Sequence, residues 1–204
     1  FELPFIHAST VATTMAINDF VERHSEDFKD YRIIAMHVHA GQAFHSHEPI
    51  RTVSDLKGTK IRTPTRTGAW LIEAMGATPI GAPVPKIPEM LSKKIVDSVM
   101  IPFEITLPLK VDEMVDYHTI LDDPVFNRIN TSTFMIVMNR GRYDSLPADL
   151  RQVIDDNSGM HIARWLGEIW EAAELPGLKK AAASGEVIKM SSGEVAKLRA
   201  MVEQ

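Results

Sequence analysis

Between Lys60 and Ile101 the chain alternates short β-type runs with one-faced helical stretches, and this alternation narrows the folds open to it. Lys60-Ile-Arg-Thr63 follows a glycine turn at Gly58 and stops at Pro64. Thr67 to Met75 sets Trp70, Leu71, Ala74 and Met75 on one side and ends at Gly76; Thr78 to Gly81 reads as a short strand or turn. Ile87-Pro88 opens another helix, striped by Met90, Leu91 and Ile95, and Val96 to Ile101 is the next strand. Alternation of this kind predicts an α/β protein with a mostly parallel sheet covered by helices. Ligands in such sheets gather at the carboxyl ends of strands, and Arg62 stands near one such end.

The flanking segments extend the pattern. Ser9 to His24 carries Val11, Met15, Ala16 and Phe20 at helical spacing, with Ser9 or Thr10 as cap. Tyr31 to His39 reads as a buried strand closed by Ala40-Gly41, and the chain through Pro49 reads as loop. Leu107 to Val115 is expected as a short helix, Tyr117 to Leu121 as a strand, and the apolar run Ser132 to Asn139 as the clearest strand of all. Leu146-Pro-Ala-Asp149 opens a long helix expected to reach Glu174 and to be interrupted at Pro176-Gly177, before a strand at Val187 to Met190 and a helix from Ser192 that stops without a cap. The abrupt apolar start, without methionine, and that uncapped end predict a chain truncated at both ends.

Composition excludes several classes. With 204 residues, 45% of them hydrophobic, the chain can bury a substantial core, and a net charge of -5 offers no basic field for nucleic acid. Zero cysteines removes disulfides, iron–sulfur clusters and thiol catalysis. No run reaches the roughly 18–20 apolar residues of a membrane span, so no direct membrane insertion is expected. Neither a catalytic set nor a phosphate loop nor a dinucleotide fingerprint is present, and no cofactor is implied.

The candidate residues each carry two readings. Arg62 offers a planar fork that holds a carboxylate through two parallel hydrogen bonds, or is a surface arginine paired with a neighbouring acid. Arg66 shares this ambiguity and is expected to face solvent. Glu104, after Pro102-Phe103, accepts from ligand hydroxyls or Arg62, or caps the helix near Thr106. Phe103 is a ligand wall or core, and Ser132 and Thr133 are cleft residues or plain strand formers. The cluster His37, His39, His45 and His47 is the one metal-like grouping, because alternate strand residues share a face; it lacks any familiar zinc spacing. It defines the competing class, a metal-dependent enzyme.

The succession Asp55-Leu-Lys-Gly-Thr-Lys-Ile-Arg-Thr-Pro64, Ala74-Met-Gly-Ala-Thr-Pro79, Leu91-Ser-Lys-Lys-Ile-Val-Asp97 with Ile101-Pro-Phe-Glu104, and Met138-Asn139 with Leu146-Pro-Ala-Asp-Leu150 resembles the substrate-binding proteins of TRAP (tripartite ATP-independent periplasmic) transporters. The resemblance spans nearly the whole chain in order. It implies a two-lobed, periplasmic-binding-protein-like fold with a ligand cleft between the lobes and a long connecting helix, and a periplasmic, non-enzymatic receptor whose signal peptide has been removed. It divides the chain into 1–39 as part of lobe I, 40–126 as lobe II, 127–167 as the return to lobe I with the long helix, and 168–204 as a helical segment returning to lobe II. The implied partners are a small carboxylate ligand and the TRAP membrane permease subunits. Arg62 matches the arginine that holds the ligand carboxylate in this family. Around it, Gln42, Phe103, Thr133, Ser132 and Glu104 are the expected ligand neighbours. Sialic-acid-binding members resemble this chain but carry an arginine in place of Gln42 and an asparagine in place of Ile101, so the resemblance implies a smaller oxo- or hydroxy-acid, some of these being aromatic. A ligand-sensing domain for the same acids is a further alternative.

Overall fold

The computed structural model describes residues 1–203. Its strands form two separate sheets. The smaller pairs β1 (Tyr31–Val38) antiparallel with β7 (Thr133–Asn139). The larger contains β2 (Ala43–Ser46), β3 (Lys60–Thr63), β4 (Thr78–Gly81), β5 (Ser98–Ile101), β6 (Tyr117–Leu121) and β8 (Glu186–Met190), in the order β4-β3-β5-β2-β6-β8.

The helices are α1 (Thr10–Arg23), α2 (Arg66–Ala74), α3 (Ile87–Ser92), α4 (Thr106–Leu109), α5 (Arg140–Asp144), α6 (Ala148–Asp156), α7 (Met160–Ser184) and α8 (Ser192–Val202). Ser9 caps α1 by accepting from the Ala12 N–H, and Thr65 caps α2 by accepting from the Gly68 N–H.

Three expectations are corrected. The segment expected to be loop through Pro49 contains β2, whose four residues are all buried. Its Phe-His-Ser pattern hides a strand because β5 and β6 flank it on both sides and satisfy its backbone, so burial does not demand an apolar run. The same strand makes the larger sheet mixed rather than mostly parallel: β2 is antiparallel to both neighbours, while β3 is parallel to β4 and β5, and β6 to β8. Finally, the long helix expected from Leu146 to Glu174 is two, α6 ending at Asp156 and α7 starting at Met160 after Gly159 at φ 86°, and α7 does not break at Pro176-Gly177 but continues to Ser184. Proline deprives the Ala172 carbonyl of its helical partner, yet Gly177 packs so closely on the turn at Phe103–Ile105 that an added Cβ would lie 2.0 Å from the Phe103 carbonyl oxygen. Tertiary contact holds the helix through its weak point.

Strand alternation sends side chains to both faces of the large sheet. Phe44, Ile61, Met100, Leu121 and Met190 pack beneath α2 and α8 with Leu71, Ile72 and Leu198. Val99 and Ile101 pack on the other face with Leu91, Val96 and Val111, and Ala43 joins Phe103 and Ala181 of α7. Arg62 belongs to this second face. In the small sheet the Asn18 side chain completes the backbone of Met36: its Oδ1 accepts the Met36 N–H at 2.9 Å and its Nδ2 donates to the Met36 carbonyl at 2.7 Å. The apolar run of β7 forms the expected strand but remains open to solvent, with Phe134 43% and Met135 53% exposed.

Candidate ligand site

β3 carries Arg62 inward, and the guanidinium is fully buried. Nε and Nη2 both donate to the Ala82 carbonyl, at 2.9 and 2.6 Å, and Nη1 has no partner. No carboxylate pairs with it among the described residues, so burial alone pulls its pKa down to about 10. A buried cation without a counter-charge is costly. Arg66, by contrast, is exposed at the start of α2.

Of the other expected residues, two meet directly. The Gln42 amide Nε2 donates to Ser132 Oγ at 3.0 Å, and Gln42 Oε1 is buried without a donor. Backbone bonds tie the same corner, because Gln42 N–H donates to the Asn130 carbonyl and Ile129 N–H to the Gln42 carbonyl. Thr133 is engaged elsewhere: its N–H and Oγ1 donate to Glu2 Oε1 at 2.8 and 3.0 Å.

Phe103 is fully buried, edge-on to His45 with ring centroids 4.8 Å apart and beneath the Arg128 guanidinium at 5.2 Å. Glu104 follows it in the turn before α4, where no side chain caps the helix. Desolvation, then the neighbouring Glu174 carboxylate, pushes the Glu104 pKa up to about 9, so its carboxyl stays protonated at neutral pH. One of its oxygens, Oε2, is buried without a partner.

The histidines disperse. His37 stacks with Phe134 and Trp170, His39 accepts from the Gly41 N–H, His45 faces His118, and His47 Nε2 donates to the Leu91 carbonyl. Among the described residues no group of three or more His, Asp or Glu side chains is placed to hold a metal.

Sequence reading passed over two residues that hold the Phe103 turn. Arg128 donates through Nε and Nη2 to Glu174 Oε1, at 3.1 and 2.7 Å, and Glu174 Oε2 accepts the Phe103 N–H at 2.9 Å. This buried pair joins the segment before β7, the Phe103 turn and α7. Its members are 46 residues apart and share no local spacing, so only the folded chain reveals them. A cavity of about 380 Å³ lies apart from Arg62, between α1, β1 and the start of α7, lined by Asn18, Val21, Tyr31, Arg32 and Met160.

Comparison with known proteins bears directly on this arrangement. The model of the bacterial extracellular solute-binding protein family 7 matches residues 1–204, and the chain belongs to that family. A marine-metagenome TRAP solute-binding protein specific for aromatic acid ligands, solved with metahydroxyphenylacetate, is 36% identical with a TM-score of 0.93. A TRAP solute-binding protein from Rhodoferax ferrireducens, solved with copurified benzoate, is 34% identical with a TM-score of 0.94. Both likenesses cover 100% of this chain and 64% of the solved one. An outer membrane transporter protein, TsaT, of Comamonas testosteroni is 24% identical over 94% of this chain and 56% of its own length. The family and its solved neighbours are transport solute-binding proteins rather than enzymes, and among the described residues no helix is long and apolar enough to cross a membrane.

Proposed function

We propose that this chain carries the ligand cleft of an extracytoplasmic TRAP receptor for a small organic acid, in the aromatic class bound by its neighbours, and that Arg62 holds the ligand carboxylate. The observation that carries this reading is the buried Arg62 guanidinium, whose Nη1 has no partner and which has no acid beside it. A ligand carboxylate at Nη1 supplies the missing counter-charge and a charge-assisted bond.

The two sheets support a division into lobes, with 1–39 and 127–167 in lobe I and 40–126 and 168–204 in lobe II. This chain covers 64% of the solved neighbours, and the exposed apolar face of β7 is where the counterpart of their remaining lobe I structure is expected to pack. In this reading Gln42, Ser132 and Thr133 approach from the crossing segments, while Phe103 and Glu104 close the far wall from the turn held by Glu174. Ligand binds the closed lobes more tightly than the open ones, shifts the population towards closure, and the closed form is delivered to the membrane permease.

Calorimetry of the full chain with benzoate, 3-hydroxybenzoate and mandelate tests the reading. Binding by wild type and loss of at least tenfold in affinity in Arg62→Ala is the expected result. Unchanged affinity in that variant removes Arg62 as the anchor.

A further inference from the structure

The chain passes between its two sheets through residues 39–42, which join β1 to β2, and again through residues 122–132, which join β6 to β7. The passages run side by side: the Gln42 N–H donates to the Asn130 carbonyl at 2.8 Å, and the Ile129 N–H to the Gln42 carbonyl at 3.2 Å. Buried between them is His39, a residue that the proposed function does not use.

Backbone donors approach the His39 ring at both nitrogens. The Gly41 N–H points at Nδ1 from 3.1 Å, and the Ser132 N–H points at Nε2 from 3.3 Å. Both groups are buried, and among the described residues neither meets another acceptor. A neutral imidazole has one bare nitrogen and one N–H, so it accepts from one of these donors and turns its own proton on the other. A doubly protonated ring is opposed at both sides, and burial, ahead of the neighbouring His7 and His37, holds the His39 pKa down at about 3.

The two tautomers are therefore two bonding patterns. With the proton on Nδ1, that nitrogen donates to Thr131 Oγ1 at 3.3 Å, Thr131 Oγ1 donates on to the His39 carbonyl at 3.0 Å, and Nε2 accepts from Ser132; Gly41 is left out. With the proton on Nε2, Nδ1 accepts from Gly41 and Ser132 is left out. A buried N–H without an acceptor is costly, so neither pattern is satisfied while both donors stay in place.

Moving one donor relieves the conflict, and the two donors ride on different parts of the fold. Val38 and Thr133 are partners in the small sheet, so His39 and Ser132, the residues next to them, are carried together. Gly41 lies at the other end of its passage, two residues before β2 of the large sheet. Its φ of 100° suits glycine alone, and an added Cβ would lie 2.6 Å from Arg128 Cβ, which makes it the turning point of the passage. Rotation of one sheet against the other at residues 40 and 41 brings the Gly41 N–H to the ring or takes it away, while Ser132 stays beside it.

We propose that His39 is a two-position hinge contact in which lobe angle and ring tautomer are coupled, so that an acid that closes the lobes moves the ring proton from one nitrogen to the other. One proton leaves the ring and one enters it, and the net charge is unchanged. The proposal rests on the two-lobed receptor reading and does not depend on which residue anchors the carboxylate.

The test is nitrogen-15 NMR of the full chain labelled at histidine, with and without 3-hydroxybenzoate, joined to calorimetry with the same acid. In wild type the bare nitrogen of His39 is expected to change from one ring position to the other as the acid saturates the protein. His39→Asn, whose Oδ1 reaches the N–H two residues on, keeps the Gly41 pattern, and His39→Gln, whose longer amide reaches Ser132, keeps the other. Their affinities are expected to depart from wild type in opposite directions and to differ by at least about tenfold. The wild-type spectra decide the matter where either variant fails to fold. Binding by wild type with the same bare nitrogen before and after overturns the proposal and leaves the receptor reading in place, as do equal shifts of affinity in the two variants. Failure of wild type to bind benzoate, 3-hydroxybenzoate or mandelate removes the receptor reading itself, and this inference with it.

Discussion

His45 and His118 stand opposite each other on β2 and β6, fully buried, with their Nδ1 atoms 2.7 Å apart. The third partner fixes the protons. His45 Nε2 lies 3.1 Å from the Ile101 carbonyl and must donate to it, so His45 Nδ1 is bare and accepts from the Nδ1–H of His118. His118 Nε2 is then left buried and without a donor. The bond between the rings holds only while His45 is neutral, because a second proton on His45 would occupy Nδ1.

Acid should therefore draw stability from this contact, beginning above the range in which ordinary carboxylates titrate. Burial lowers the His118 pKa to about 4, and burial followed by the neighbouring His118 lowers that of His45 well below its ordinary value. Unfolded histidine takes up a proton near pH 6.5, so the folded state loses its advantage as pH falls from 6.5 towards 4. Urea melts at pH 7 and pH 4.5 are expected to show a drop of about 2 kcal/mol from His118, with His45 acting in the same direction. His118→Leu should flatten this slope; an equally steep slope in the variant would discount the pair.

Glu104 acts in the opposite direction. Its folded pKa, raised to about 9, exceeds that of an unfolded glutamate, so its share of stability is complete below about pH 4.5 and fades as pH rises to 9. Glu104→Gln, a permanently neutral isostere, is expected to remove the alkaline decline. Thermal melts from pH 5 to pH 9 on both proteins provide the comparison.

Arg62 should exchange stability for binding. Its cation is buried with only a carbonyl for company, so Arg62→Met removes a desolvated charge and is expected to stabilise the ligand-free protein by about 1 kcal/mol. The same variant should lose carboxylate affinity by tenfold or more. A melt and a titration on one preparation check both halves.

Breaking the Arg128–Glu174 pair should be severe in either direction. Each side chain is less than a tenth exposed, and removing one partner strands the other's charge. Glu174→Gln is expected to lower stability by about 3–5 kcal/mol, read by urea denaturation. The Phe103 turn should loosen with it, since Glu174 also accepts its N–H.

The parts of the fold that were legible in the sequence are those in which hydrophobic periodicity and burial coincide. β3, β6 and β7, helices α1 and α2, and the short β8 follow directly from spacing and from glycine or proline stops. β2 was hidden because a central strand with two bonded neighbours tolerates His45 and Ser46 inside, and the run of α7 through Pro176 because contact with Phe103 outweighs a local breaker. At the candidate site, the expectation for Arg62 rests on family resemblance rather than on chemistry, since four residues of strand cannot say whether an acid waits across the sheet. Glu2, Arg128, Glu174 and His118 acquire meaning only from partners far along the chain.

Gly177 and Phe103 touch main chain to main chain, across a gap that leaves no room for even a methyl group. Position 177 is therefore not free to drift on its own: among relatives that retain the Pro-Phe-Glu turn at this distance from the helix, glycine is expected to persist, and departures should appear only where the turn has also been rebuilt. Two stretches of the gene more than seventy codons apart are in this sense a single heritable unit, and an alignment of the family is enough to read whether they have changed together.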